Sequence, residues 1–155
     1  MYIVCESCAF TGHRQISDDL DEQKLIDIIK ELIQKGVKTF YCGMAMGFDL
    51  LAAETLLKVK ETYSDVKIIA CIPYYGQEKN FSDADKKRYV DILKKADEQV
   101  LVSDRYYKGC MLKRDRYMAD MADVLVAYKR KETGGTAYTV KYFEKKYPLK
   151  EIIYL

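Results

Sequence analysis

No charge of one sign predominates in this chain: 26 Lys and Arg stand against 24 Asp and Glu, a net charge of +2. That balance gives no general attraction to nucleic acid or to a membrane surface, so any anion site has to be local. Long apolar runs are missing as well. None approaches the roughly 20 residues of a membrane span, and Met1 to Phe10 lacks the basic start and uninterrupted apolar stretch of a signal peptide. A soluble, cytoplasmic protein with no membrane partner is expected. Histidine occurs once, as His13. Five cysteines (Cys5, Cys8, Cys42, Cys71, Cys110) make an odd set, mostly inside apolar runs, which suits reduced and buried thiols. Cys5 and Cys8 form a C-x-x-C, but no second pair follows, and positions three apart on a strand point to opposite faces. The dinucleotide G-x-G-x-x-G and the Walker A Lys-Ser/Thr are both absent. Neither a metal nor a cofactor is expected. With no internal repeat and no low-complexity segment, 155 residues read as one domain over residues 1–155.

What the chain does contain is a regular alternation of strands and helices. Cys8-Ala9-Phe10 closes a first strand, and Leu25, Ile28, Ile29, Leu32 and Ile33 recur at the spacing of a helix with one buried stripe, ended by Gly36. Thr39 to Cys42 reads as a second strand, and Asp49 to Tyr63 as a second helix rich in Leu and Ala. Lys67 to Ile72, stopped by Pro73, has the continuous apolar character of a strand buried on both faces. Ser82 opens a third helix to Ala96, with Tyr89, Ile92, Leu93 and Ala96 inward. Strands at Val100 to Val102, Val124 to Ala127 and Glu151 to Tyr154 then alternate with helices over Leu112 to Ala122 and Thr136 to Tyr147. Six strands and five helices in strict alternation predict an α/β fold, a doubly wound, mostly parallel sheet with helices on both faces. The expected strand order is 3-2-1-4-5-6, with ligands outside the carboxyl ends of the strands, near the switch between strands one and four.

Seven of the eight glycines fall after strand ends and so map to one edge of the sheet: Gly12, Gly43, Gly47, Gly76, Gly109, Gly134 and Gly135. Strand-to-helix loops use glycine in any case, but glycine also lets backbone amides approach a phosphate closely. Cys42-Gly43-Met44-Ala45-Met46-Gly47-Phe48-Asp49 leads into a helix whose N-terminal amides attract anions, with Asp49 alternatively the N-cap. Thr133-Gly134-Gly135-Thr136 repeats the arrangement before the last helix. Lys113, Arg114 and Arg116 crowd another helix start, where cations oppose the macrodipole. Either Arg116 pairs with Asp120, with Asp115 between the arginines, in a self-contained salt-bridged surface, or Arg114 faces an anionic ligand.

Taken in order, CAFTGHR, GMAMGFDLLAAE, IPYYGQEKNFS, GCMLKRDRYMADMADVLVAY and GGTAYTVKYFEKK resemble the YpsA-like branch of the SLOG superfamily over nearly the whole chain. That superfamily joins the DNA-processing protein A fold with the LOG phosphoribohydrolases. The resemblance implies a modified Rossmann-like sheet and a nucleotide or nucleotide-derived ligand. The LOG hydrolases carry Pro-Gly-Gly-x-Gly-Thr-x-x-Glu, whereas Thr133 to Val140 here has neither the proline nor the acidic residue. The resemblance therefore carries over the phosphate cradle and not the catalysis.

The leading expectation is a sensor-type domain binding a nucleotide or nucleotide derivative, with the ligand held by Thr11, Gly12, His13, Arg14, Gly43, Met44, Gly47, Asp49, Arg114, Gly134, Gly135 and Thr136. An alternative is N-glycosidic hydrolysis of a nucleoside monophosphate, for which His13, Asp49 and Glu54 are the acid or base candidates. His13 at a strand end serves equally as a structural hydrogen-bonder. A third class is single-stranded nucleic-acid binding, with Tyr74, Tyr75, Tyr106 and Tyr107 to stack bases and Lys79, Lys108 and Lys113 along the backbone. The sequence also allows a homo-oligomer.

Overall fold

The computed structural model describes residues 5–155; Met1 to Val4, the start of the segment tested above for a signal peptide, lie outside them. Asp21 opens helix α1 (Glu22–Gln34) by accepting a hydrogen bond from the Lys24 amide, and the stripe Leu25, Ile29, Leu32 is buried as its spacing demands. The elements then follow in strict alternation. Strands are β1 (Ser7–Gly12), β2 (Thr39–Cys42), β3 (Lys67–Ile72), β4 (Glu98–Leu101), β5 (Val124–Tyr128) and β6 (Glu151–Tyr154). The remaining helices are α2 (Phe48–Lys60), α3 (Asp83–Lys95), α4 (Cys110–Met121) and α5 (Gly135–Lys146), with a short 3-10 helix at Gln77–Asn80. Ser82 caps α3 through the Asp85 amide at 3.2 Å.

All five strand pairings are parallel, and the order is β4-β3-β2-β1-β5-β6. This corrects the expected 3-2-1-4-5-6. The fourth strand does not lie beside the first; it pairs outside β3, Ile69 to Ile72 against Glu98 to Leu101. The reason is burial. A strand next to β1 is covered on both faces, which suits Val124–Tyr128, all five residues buried, whereas Glu98–Leu101 is exposed except for half-buried Val100. The chain thus builds outward from β1 to β4, then returns across the sheet through α4 to start again on the other side. The switch point lies between β1 and β5.

Helices α1, α2 and α3 cover one face, where Phe10, Phe40, Phe48, Leu50 and Leu56 form the larger core. Helices α4 and α5 cover the other, packing Met118, Val140 and Phe143 on Ala9, Leu125 and Ala127. Among the described residues no helix is long and apolar enough to cross a membrane.

Candidate functional site

At the switch point a cleft of about 680 Å³ opens over the carboxyl ends of β1 and β5. Its lining comes from four places: Thr11 to Gln15 at the end of β1, Ala45 and Asp49 around the start of α2, Met111, Leu112, Arg114 and Asp115 in the first turns of α4, and Lys131 with Thr133 to Thr136 before and in α5.

The β1–α2 wall is closely packed. A methyl group at Gly12 would meet the Phe48 ring at 2.3 Å, and one at Gly47, where φ is +80°, would meet the Arg14 carbonyl oxygen at 2.2 Å. Only glycine permits these approaches. The first amide of α2, Phe48, donates to the His13 carbonyl at 3.1 Å. Gly47 is the N-cap, so Asp49 stands inside the first turn, and its Oδ2 accepts instead from the Ala45 amide at 3.2 Å.

Arg114 braces the floor. It is 4% exposed, its Nη1 donates to the Gly43 carbonyl, and its Nε donates to Asp115 Oδ1 at 2.8 Å. Burial pushes the Asp49 carboxyl up to about 6 against the pull of Arg114. Burial also works against the Arg114 charge, but Asp115 and Asp49 outweigh it and hold the guanidinium above its ordinary range. The Arg116–Asp120 pair of the self-contained alternative is absent among the described residues. Helix α5 lays Tyr138, Tyr142 and Lys146 along α4, so Arg116 donates to the Tyr138 hydroxyl at 3.0 Å and Asp120 accepts from Tyr142, Lys146 and Tyr147.

The third wall is open. Gly134, the N-cap of α5, has φ +95° and ψ −175°, and no side chain caps the helix. Nothing lies within 4 Å of a methyl placed at Gly134, and only Asp115 Oδ2, at 3.8 Å, lies near one at Gly135. The first-turn amides have no intrahelical acceptor by geometry. His13 ties this wall to β1: its Nε2 accepts from the Arg130 amide at 2.7 Å, and its ring stands edge-on to Tyr128. Burial first, then Lys131, Arg130 and Lys129, lower its pKa from 6.5, which matches an imidazole that accepts at Nε2 and carries its proton on Nδ1.

Of the residues singled out from sequence, the cleft brings together Thr11, Gly12, His13, Arg14, Asp49, Arg114, Gly134, Gly135 and Thr136. Gly43, Met44 and Gly47 stand behind its surface, Met44 fully buried at φ +65°. Glu54 is outside the lining, where it accepts from Arg88 Nε at 3.0 Å. Sequence reasoning missed Gln15, Met111, Leu112 and Lys131, named Ala45 and Thr133 only as parts of the loops Cys42 to Asp49 and Thr133 to Thr136, and treated Asp115 only as an internal counter-charge. The basic run Lys129-Arg130-Lys131 just before Thr133-Gly134-Gly135 was the available signal for Lys131.

A family model for YpsA, described as the YspA SLOG family, matches residues 9–153. The chain belongs to this SLOG family. Among its relatives, UPF0398 protein BH1768 of Halalkalibacterium halodurans is 31% identical over 121 residues, which is 76% of this chain and 64% of that protein. UPF0398 protein YpsA of Bacillus subtilis is 26% identical over 151 residues, 89% of this chain and 84% of that one. The SPbeta prophage-derived protein YoqJ of B. subtilis is 30% identical over 139 residues, 81% of each chain. Among solved structures, DNA processing protein A from Helicobacter pylori, described for its single-stranded DNA binding mode, matches with TM-score 0.68 and 20% identity. The match covers 97% of this SLOG chain and 65% of that protein. DNA processing protein A from Streptococcus pneumoniae matches with TM-score 0.68 and 17% identity, over 97% and 50% of the two chains. At these identities the two structures establish the shared fold alone.

Proposed function

We propose that this SLOG domain binds a nucleotide or nucleotide-derived ligand, with a phosphate seated on the backbone of Thr133 to Thr136. One observation carries this reading: the N-terminus of α5 is uncapped, and Gly134 and Gly135 are free of close protein contact on their cleft side. Unpaired amides and the positive end of a helix favour an anion by about 0.3–2 kcal/mol. Arg14 and Lys131 line the same cleft, and neither forms an ion pair among the described residues. The cations left for a ligand are therefore these two, since Arg114 is occupied by Asp115 and Gly43. A volume of about 680 Å³ is ample for a nucleotide. Thermal melting against a nucleotide panel tests the reading, because a ligand that binds only the native state raises Tm. At least one member is expected to do so; no shift across a panel including ADP-ribose and cyclic nucleotides contradicts it.

A second reading, single-stranded nucleic acid, has the H. pylori neighbour and one surface feature in its favour. Tyr75, Tyr106 and Tyr107 are exposed at the same edge of the sheet, Tyr106 edge-on to Tyr74 at 5.2 Å. Stacking platforms of this kind hold bases without sequence preference. A gel shift that weakens steeply with salt supports it, and none at low salt removes it.

A further inference from the structure

We propose that Asp115 is the specificity-determining residue of this cleft, accepting a hydrogen bond from a ribose hydroxyl, so that the ligand is a ribonucleoside 5′-phosphate; this rests on the nucleotide reading above. The carboxylate is rigidly held. Its Oδ1 takes the Arg114 Nε hydrogen bond at 2.8 Å, and Arg114 is itself fixed by the Gly43 carbonyl, with side-chain exposures of 5% for the arginine and 18% for the aspartate. Its other oxygen, Oδ2, has no hydrogen-bond partner among the described residues and points over Gly135, 3.8 Å from where a methyl there would sit.

A free carboxylate oxygen beside an anion cradle is repulsive unless the ligand supplies a donor at that point. Arg14 and Lys131 take care of the phosphate charge, so Asp115 is left to select what is attached to the phosphate. Inorganic phosphate offers no carbon-borne donor. A base amine lies at the far end of a nucleotide, too far from its own 5′-phosphate to reach the same corner. Ribose hydroxyls lie within a few ångströms of the phosphate and donate to a carboxylate with charge-assisted strength, as the acidic residue of dinucleotide folds does for the ribose. A DNA strand lacks the 2′-hydroxyl and has its 3′-oxygen esterified, so it presents no donor here.

The test is isothermal titration of the whole chain with the four ribonucleoside 5′-monophosphates and their 2′,3′-dideoxy counterparts, in wild type and in Asp115→Asn. Each ribonucleotide that binds wild type is expected to do so about ten- to a hundredfold more tightly than its dideoxy form. Asp115→Asn, which keeps the volume and loses the charge, narrows that ratio to about threefold or less. Equal binding of the two forms by wild type overturns this assignment and leaves the nucleotide reading standing, as does ribonucleotide binding that is abolished by EDTA, which makes the recognition metal-mediated. Binding of none of the eight overturns the ribonucleoside 5′-phosphate assignment, and the nucleotide reading then stands or falls on the thermal-melting panel with ADP-ribose and the cyclic nucleotides. Because the wild-type ratio decides alone, a poorly folded Asp115→Asn does not blunt the test.

Discussion

On the β1–α2 side of the cleft a methyl group at Gly12 would lie 2.3 Å from the Phe48 ring, while on the α5 side nothing lies within 4 Å of a methyl at Gly134. The glycines of the first wall admit protein. Phe48 fills the space over Gly12, the Arg14 backbone crosses Gly47, and the first amide of α2 is already given to the His13 carbonyl. Those of the second wall face open space beside unpaired amides, with Arg14 and Lys131 elsewhere in the lining of the same cleft. Two glycine-bearing loops at the same sheet edge therefore differ in kind, one a packing joint and the other open to the cleft. Arg114 connects them, reaching the Gly43 carbonyl behind one and Asp115 beside the other.

The largest effect is expected at that connection. Arg114→Ala leaves buried Asp49 and half-buried Asp115 without their cation and should cost about 3–5 kcal/mol in urea unfolding; a loss below about 1 kcal/mol contradicts the brace. Next comes Gly47→Ala, which combines a backbone clash with φ +80° and should cost about 3 kcal/mol or more by the same measurement. Gly135→Ala sits in the open wall at a position without positive φ, so stability should stay within about 1 kcal/mol or rise slightly. Its methyl nevertheless occupies the approach to the amides, and calorimetry should show nucleotide affinity falling about tenfold or more. Equal losses of stability from Gly47→Ala and Gly135→Ala erase the distinction between the walls.

The smallest effect concerns the tie between them. His13→Ala removes the acceptor for the Arg130 amide and should cost about 1 kcal/mol or less at neutral pH. Because the native pKa of His13 is lowered from 6.5, the fold favours the neutral ring. Its contribution is complete above 6.5 and fades as pH falls through the lower native value. The stability gap between wild type and His13→Ala should accordingly close on acidification, as followed by urea midpoints from pH 7.5 to about pH 5. A gap that widens reverses the assigned proton.

The alternation of strands and helices was legible where a helix shows its stripe, as Leu25, Ile29 and Leu32 do in α1, and where a glycine or proline ends a strand, as Gly12 ends β1 and Pro73 follows β3. The place of β4 was not. Val100-Leu101-Val102 looks like an inner strand until Glu98 and Gln99, which pair with Ile69 and Ala70, are counted in it. The edge carrying the cleft was legible from the glycines, yet the letter G is the same whether a Phe48 ring fills the space or the space stays open. Met111 and Leu112 enter the cleft only because α4 returns across the sheet, a long-range placement with no local signal. Asp115 went unassigned because one of its oxygens does pair with its neighbour, and a sequence does not reveal where the second oxygen points.

The contrast between the walls is tested most directly by amide NMR shifts on titration with a ribonucleoside 5′-monophosphate. The account predicts that the Gly134, Gly135 and Thr136 amides move and saturate together, while those of Gly43 and Gly47 move little. Saturable shifts centred on Gly43 to Phe48, with Gly134 to Thr136 unmoved, contradict it.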